Sequence, residues 1–450
     1  MSIESPLQVL PCYKVAILHP DLGIGGAERL ILDAALELGE LGCRVVLYTG
    51  YHNATRCFEE TLDRGRRRVS WIKVHGAWMP RQISGHFHAP FAYARALWTA
   101  AALLLLERDI DAIIVDQVSA PLVLLRLFSS IKIVFYCHYP DMLLAKRDSW
   151  SRRLYRSPLD LLEQLTTGMA HKILVNSEYT RKTFARTFKP LYRIGLHPAI
   201  LYPAVGRQST PSLEKRTTSN RSAMPSKSFL SINRFERKKN LSLALQAFAL
   251  FRTTNDSDAK KASRLILAGG FDERIRENVE HLKELKREAC TLGIQAEVSF
   301  LPCVSAEQKT KLLAECLCVL YTPENEHFGI VPLEAMAAGR PVLACKSGGP
   351  VESIIDRITG FTCDPCPKAF ASVMEELFQN PEVATRMGLV GQQHVKSKFS
   401  RKTFGRQLHF HVNELCDGTR ENEHSWSALN AMLFGIIFYI AVLFFMRLRF

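Results

Sequence analysis

Apolar and polar positions along the chain alternate between two periods. Lys14 to Leu18 (KVAIL) is a continuous apolar run, the pattern of a strand covered on both faces. After Gly26 the segment AERLILDAALELGELG has helical spacing and ends at Gly42, and Arg44 to Tyr48 (RVVLY) is a second buried run. Strand-like runs return at Ala112 to Val115, Lys132 to Tyr136 and Ile173 to Val175. Residues 205–228 (VGRQSTPSLEKRTTSNRSAMPSKS) are polar and almost without apolar positions, as in an exposed connector. Beyond them the alternation resumes. Strands are expected at Phe229 to Ile232, Arg264 to Ala268, Val298 to Leu301, Cys318 to Tyr321 and Val342 to Ala344. Helices are expected at Leu241 to Phe251, Ile275 to Leu292, Ala306 to Ala314 and Pro332 to Ala338.

Strand, loop, helix, strand is the mark of a parallel sheet with helical crossovers, so the expectation is an α/β protein with two Rossmann-like domains facing a cleft. The domains would be 1–204 and 229–395, joined by the linker 205–228 and followed by a helical return segment at 396–427. Ligands of open parallel sheets bind beyond the carboxyl ends of the strands, which places the expected site in that cleft. Residues 428–446 (ALNAMLFGIIFYIAVLFFM) carry no charge and are long enough to span hydrocarbon as a transmembrane helix. A shorter run, Ala96 to Leu106, is read as a core helix, with a helix lying in the membrane interface as the rival. The N-terminus lacks a basic start followed by an apolar core, so no cleavable signal peptide is expected.

Composition narrows the partners. Apolar residues at 47% and charged residues at 23% describe a globular chain rather than a disordered one. The formal charge of +14 suits a phosphorylated substrate or an anionic membrane. No nucleic-acid-reading motif accompanies it, so nucleic acid is not an expected partner. Cys363 and Cys366 form one C-x-x-C without a second ligand pair, which reads as two thiols in a loop and not as a zinc site. Asp109-Ile-Asp111 spells D-x-D but runs directly into a strand, where it punctuates the strand edge.

Four segments carry candidate chemistry. Gly23-Ile-Gly-Gly-Ala-Glu28 follows the first strand and opens a helix, so Gly25 and Gly26 let phosphate or acceptor approach free N–H groups. A tight structural turn accounts for the same glycines. The third glycine of a dinucleotide fingerprint would fall at Glu28, which weakens a dehydrogenase reading. His138, in CHYPD, ends a strand on the ligand side. In SINRFERKKN, Arg234 and Lys239 sit between a strand end and a helix start, where they can neutralise a diphosphate leaving group. In NEHFGIVPLEAM, seven residues separate Glu326 from Glu334, the latter in the first turn or so of a helix expected to begin at Pro332. Gly329 between them opens the amides of Phe328, Gly329, Ile330 and Val331 to phosphate or sugar oxygens, and each carboxylate can accept hydroxyl hydrogen bonds.

Together GIGGAERL, CHYPD, NRFERKKN, NEHFGIVPLEAMAAGRPV and SGGPVES resemble the retaining GT-B glycosyltransferases of the glycogen-synthase-like group. CHYPDMLLAKRD, LYRSPLDLLEQLTTGMA, ILVNSEYT, SINRFERKKNL and GGFDERIRENVEH resemble the dolichol-pathway α-1,3/α-1,6-mannosyltransferase family of N-glycan assembly. That resemblance implies transfer of mannose from GDP-mannose to mannosyl-chitobiosyl-diphosphodolichol at the cytosolic face of the endoplasmic reticulum membrane. Other mannosyltransferases of the pathway are the implied neighbours. It further implies that Arg234 and Lys239 hold the diphosphate, Glu334 the ribose, and Glu326 the sugar near its 3- and 4-hydroxyls. His138 would stand beside the reacting sugar, and Gly25 and Gly26 near donor phosphate and acceptor. No cofactor is required, a divalent metal is left open, and no protein general base is nominated. A nucleotide-sugar epimerase or hydrolase, or an inactive membrane-anchored scaffold, are the competing classes.

Overall fold

The protein is described by a computed structural model covering residues 13–63, 65, 67–80, 82, 88–145, 147–205, 227–253 and 258–418. The linker positions 206–226 and the apolar segment 428–446 lie outside the described residues.

Two compact units emerge, each built on a parallel sheet. The first sheet contains β1 (Lys14–His19), β2 (Arg44–Thr49), β3 (Ile72–Val74), β4 (Ala112–Asp116), β5 (Lys132–Cys137), β6 (Lys172–Val175) and β7 (Ala199–Ile200). Their spatial order is β3-β2-β1-β4-β5-β6-β7. The second contains β8 (Ser228–Ile232), β9 (Arg264–Gly269), β10 (Val298–Pro302), β11 (Cys318–Tyr321), β12 (Val342–Cys345) and β13 (Gly360–Cys363), in the order β10-β9-β8-β11-β12-β13. In each sheet the order reverses beside the first strand, between β1 and β4 and between β8 and β11. Such switch points leave a gap between diverging crossovers, where ligands of doubly wound folds bind.

The strand runs anticipated from the sequence lie within these elements, shifted by a residue or so at their ends. β3, β7 and β13 were not anticipated: the first two are too short for a period to show, and GFTC has too few apolar residues. The expected helix at Pro332 begins earlier, at Ile330, with Gly329 as its N-cap. Glu334 is therefore the fifth residue of the helix, just past its first turn.

The buried positions explain the layers. Ala16, Leu18, Ile113, Val115, Ile133 and Phe135 fill the first core, where alternate residues of neighbouring strands meet the covering helices. In the second, Phe229 of β8 meets Phe251 of helix Leu241–Thr253 edge-on, with ring centroids 5.3 Å apart. The chain from Phe404 onward, most of the helix Arg401–Asp417, belongs with the first unit. There Tyr13 donates its hydroxyl to Asp417 at 2.5 Å and Lys172 pairs with Glu414.

Asp111 of the D-x-D accepts the amide of Lys14 at 2.7 Å, so this carboxylate secures the start of β1. Among the described residues no group of three or more His, Cys, Asp or Glu side chains is placed to hold a metal ion. Cys363 and Cys366 are free thiols.

Candidate functional site

In the second unit, candidate residues collect at the switch between β8 and β11. The chain leaving β8 tightens into a 3-10 turn over Arg237–Lys239, ended by Asn240 in the left-handed region at φ 48°. Asn tolerates that conformation better than most side chains. The turn is fastened to the neighbouring strand end by Thr322, whose hydroxyl donates to the Lys239 carbonyl at 2.7 Å. Lys239 is thereby buried, and its Nζ stands 2.5 Å from Glu326 Oε2 on the loop after β11.

Beneath that loop lies Tyr321, the last residue of β11, which sequence reasoning missed. Burial pushes its phenol well above the ordinary range, and the charge of Glu326, a hydrogen bond to it and the charge of Glu334 add to the rise. The hydroxyl therefore stays a donor, within the field of both glutamates. Gly329, at φ 81°, brings the loop onto this ring: a Cβ there would sit 3.2 Å from the Tyr321 hydroxyl. The loop's other wall is SGG. Gly349 N–H donates to the Glu326 carbonyl at 2.8 Å, and Ser347 Oγ accepts the Asn325 amide at 3.0 Å. A Cβ on Gly348 would fall 2.4 Å from the Glu326 carbonyl oxygen.

Glu334 is held differently. Helix Ala306–Glu315, begun by a capping box of Ser305 and Gln308, directs Lys309 to within 2.5 Å of Glu334 Oε2. Lys309 was also not foreseen. Arg234, exposed on the loop after β8, pairs with Glu236 at 2.9 Å, and Lys238 approaches the other oxygen of Glu236 at 3.3 Å. The structure thus links Lys239, Glu326, Tyr321, Glu334 and Lys309, while Arg234 stands on the same loop with a partner of its own. Of the loop amides, those of Phe328 to Val331 surround the N-terminus of helix Ile330–Ala337, and the Phe328 side chain turns into the core against Phe399.

In the first unit, Gly25 is the N-cap of helix Gly26–Glu40 and Gly26 its first residue. The Glu28 carboxylate folds back over Gly25, 2.2 Å from where a Cβ would be, whereas nothing lies within 4 Å of a Cβ on Gly26. His138 follows β5. Its Nε2 stands 2.7 Å from Asp116 Oδ1, and His19 Nδ1 stands 2.7 Å from Asp116 Oδ2. Asp116 and His19 were overlooked in the sequence. The available signal was a polar residue closing an apolar run, in KVAILH and AIIVD.

Behind His138, Glu163 accepts the amides of Asp141 and Met142 at 2.7 and 2.8 Å, fixing the turn of CHYPD. Burial raises the Glu163 carboxyl to about 7, although those two N–H donors oppose it.

Comparison with known proteins agrees with the two-unit division. The family "Glycosyltransferase Family 4" matches residues 24–194, and "Glycosyl transferases group 1" matches residues 214–394. The Homo sapiens alpha-1,3/1,6-mannosyltransferase ALG2 is 45% identical, covering 90% of this chain and 97% of its own length. Its Dictyostelium discoideum counterpart is 42% identical over 89% and 98%, and that of Saccharomyces cerevisiae 37% over 89% and 84%. Among solved structures, a sucrose-phosphate synthase from Thermosynechococcus elongatus shares the fold at TM-score 0.68 with 16% identity, covering 90% of this chain and 100% of that one. Anabaena Alr3699/HepE in complex with UDP does so at TM-score 0.65 with 19% identity, over 89% and 100%.

Proposed function

The chain belongs to the alpha-1,3/1,6-mannosyltransferase family of GT-B glycosyltransferases, and from that premise we propose that it takes mannose from GDP-mannose and adds it to mannosyl-chitobiosyl-diphosphodolichol, first α-1,3 and then α-1,6. The observation that carries the donor reading is the pairing of Lys239 with Glu326 at the switch point, with Glu334 one helical turn beyond Gly329.

A diphosphate arriving over the Gly329 turn meets backbone amides at a helix N-terminus and draws Lys239 away from Glu326. Lys239 and Arg234 then neutralise the charge that grows on the leaving phosphate as the bond to mannose breaks. Glu326, released from the lysine, accepts hydrogen bonds from the mannose 3- and 4-hydroxyls. Glu334, steadied by Lys309, accepts those of the ribose. The product keeps its anomeric configuration if the acceptor hydroxyl attacks from the leaving-group face and gives its proton to the departing phosphate. No carboxylate general base is needed for that path.

The acceptor's lipid calls for a membrane location, and we place the catalytic units on the cytosolic face of the endoplasmic reticulum. Residues 428–446 supply the proposed anchor. The helix His88–Leu106 is long and apolar enough to cross a membrane, yet most of it is not buried, and Leu105 and Leu106 at its end are exposed. Ala100, Ala102 and Leu103 of this helix pack in the core, as expected, and the exposed end suits an additional interfacial role. The sequon Asn240-Leu-Ser242 adjoins Lys239, where a glycan would crowd the proposed diphosphate site, in keeping with a cytosolic unit.

The test is incubation of the full chain in detergent with labelled GDP-mannose and the lipid-linked trisaccharide acceptor, followed by linkage analysis. GDP release only with acceptor, with α-1,3 and α-1,6 products, is the expected result. Turnover of donor without acceptor would instead identify a hydrolase or epimerase.

A further inference from the structure

We infer that Asp116 is a positioning residue for His138, with His19 as its second support: the carboxylate takes the Nε2–H of His138 and leaves Nδ1 as the acceptor for a sugar hydroxyl. This rests on the reading that His138 contacts the reacting sugar.

The three side chains come from the carboxyl ends of β1, β4 and β5, consecutive strands at the switch point of the first sheet. The Asp116 and His19 side chains are 0% and 1% exposed, whereas His138 is 23% exposed. The arrangement is therefore a sealed base beneath a single accessible ring. A buried carboxylate is tolerated only when its oxygens are compensated. Here each oxygen has one imidazole nitrogen at 2.7 Å, His19 in an aligned hydrogen bond and His138 in ion-pair contact without that alignment. Burial raises the Asp116 carboxyl, but the charge of His138 and the contacts of both imidazoles outweigh it and bring it down to about 2. The direction favours the ionised form, and an ionised carboxylate only accepts hydrogen bonds. His19 Nδ1 must then carry hydrogen in its bond to Oδ2, and a neutral His138 can stand 2.7 Å from Oδ1 only with hydrogen on Nε2, since a bare nitrogen lone pair there would be repelled.

Other contacts hold the ring in place. Tyr136 packs against it edge-on at 4.8 Å, and Asn176 donates to the His138 carbonyl at 2.9 Å. Immediately after Asp116 the chain adopts φ 62° at Gln117, a left-handed conformation unusual for a residue other than glycine. Such conformations persist where the surroundings over-determine them, and they gather at functional sites. His19 gives the base a further link, since the glycine turn at Gly25 begins six residues later on the same loop.

The experiment uses the full chain in detergent. Steady-state kinetics are measured for Asp116→Asn, His19→Gln, His138→Ala and the Asp116→Asn/His138→Ala double variant, and nitrogen chemical shifts are recorded on protein labelled with 15N-histidine. Wild-type His138 is expected as the Nε2–H tautomer, and Asp116→Asn as a mixture. Asp116→Asn should lower kcat about 10- to 100-fold, as loss of a carboxylate that orients a histidine does elsewhere, with KM for donor changed less than about threefold. The double variant should be no slower than His138→Ala, and His19→Gln should show a smaller kcat loss in the same direction. An Nδ1–H tautomer in the wild type, or an Asp116→Asn variant with native kcat beside an impaired His138→Ala, overturns the inference. Native transfer by His138→Ala overturns instead the underlying reading of His138. The wild-type spectrum decides the tautomer even if Asp116→Asn does not fold.

Discussion

Lys239 Nζ stands 2.5 Å from Glu326 Oε2, so the cation proposed for the diphosphate and the carboxylate proposed for the sugar neutralise each other. The lysine is nearly buried and the carboxylate only partly so, at 9% and 24% side-chain exposure. Removing one partner leaves the other charge uncompensated. Lys239→Met should lower unfolding free energy by about 2 kcal/mol, below the roughly 3–5 kcal/mol of a fully sealed pair because Glu326 keeps some water. Lys239→Met/Glu326→Gln should recover part of that loss in urea titrations, while both variants lose transfer. A double variant as unstable as the sum of the singles would show that the pair is not coupled in solution.

Glu334 is proposed to read the ribose. Glu334→Gln should weaken GDP binding about tenfold, the loss of a charge-assisted hydrogen bond of roughly 1.5 kcal/mol. Calorimetry with 2′,3′-dideoxy-GDP provides the control. The wild type should bind that analogue about as weakly as Glu334→Gln binds GDP, and the variant should scarcely distinguish the two. A variant that still prefers GDP tenfold would remove Glu334 from the ribose.

Two glycines separate approach of a ligand from approach of the chain itself. A Cβ on Gly348, at φ 65°, would press 2.4 Å from the Glu326 carbonyl oxygen. Gly348→Ala should therefore displace the Glu326 loop, costing about 1–3 kcal/mol of stability and at least tenfold in transfer. Gly26 has open space at its Cβ position and starts a helix. Gly26→Ala should keep the native Tm or raise it slightly, so any fall in transfer would report a ligand against that backbone. Native activity in Gly26→Ala would dismiss the close approach.

Glu163 sets a pH dependence of stability. Its carboxyl moves from an ordinary 4.5 to about 7 on folding, chiefly through burial. Between those values the folded chain binds more protons than the unfolded one. The contribution is thus complete below pH 4.5 and disappears as pH rises through 7. A shift of that size corresponds to about 3 kcal/mol. Glu163→Gln, which cannot ionise, should flatten the decline in unfolding free energy between pH 5 and 8. An unchanged slope would mean that Glu163 is ionised in the folded protein at pH 5.

The segments Lys14–His19 and Cys318–Tyr321, and the two glutamates spaced around Gly329, were legible because each signal lies within one short stretch of chain. Periodicity needs only neighbours in sequence, and a glycine-centred loop before a helix is local chemistry. The start of helix Ile330–Ala337 was misplaced because Pro332 suggested a first turn, while the backbone of Gly329 supplied the N-cap and began the helix two residues earlier.

Sequence alone determined that two α/β units follow one another, and which short motifs carry charge, glycine and carboxylate. Tertiary structure decided the partnerships: Asp116 with His19 across 97 residues, Lys239 with Glu326 across 87, and Lys309 with Glu334 from a separate helix. Strand order brings such residues together, and strand order is set by how whole crossovers pack. No stretch of chain encodes that by itself, since each contact depends on folding of everything between its ends.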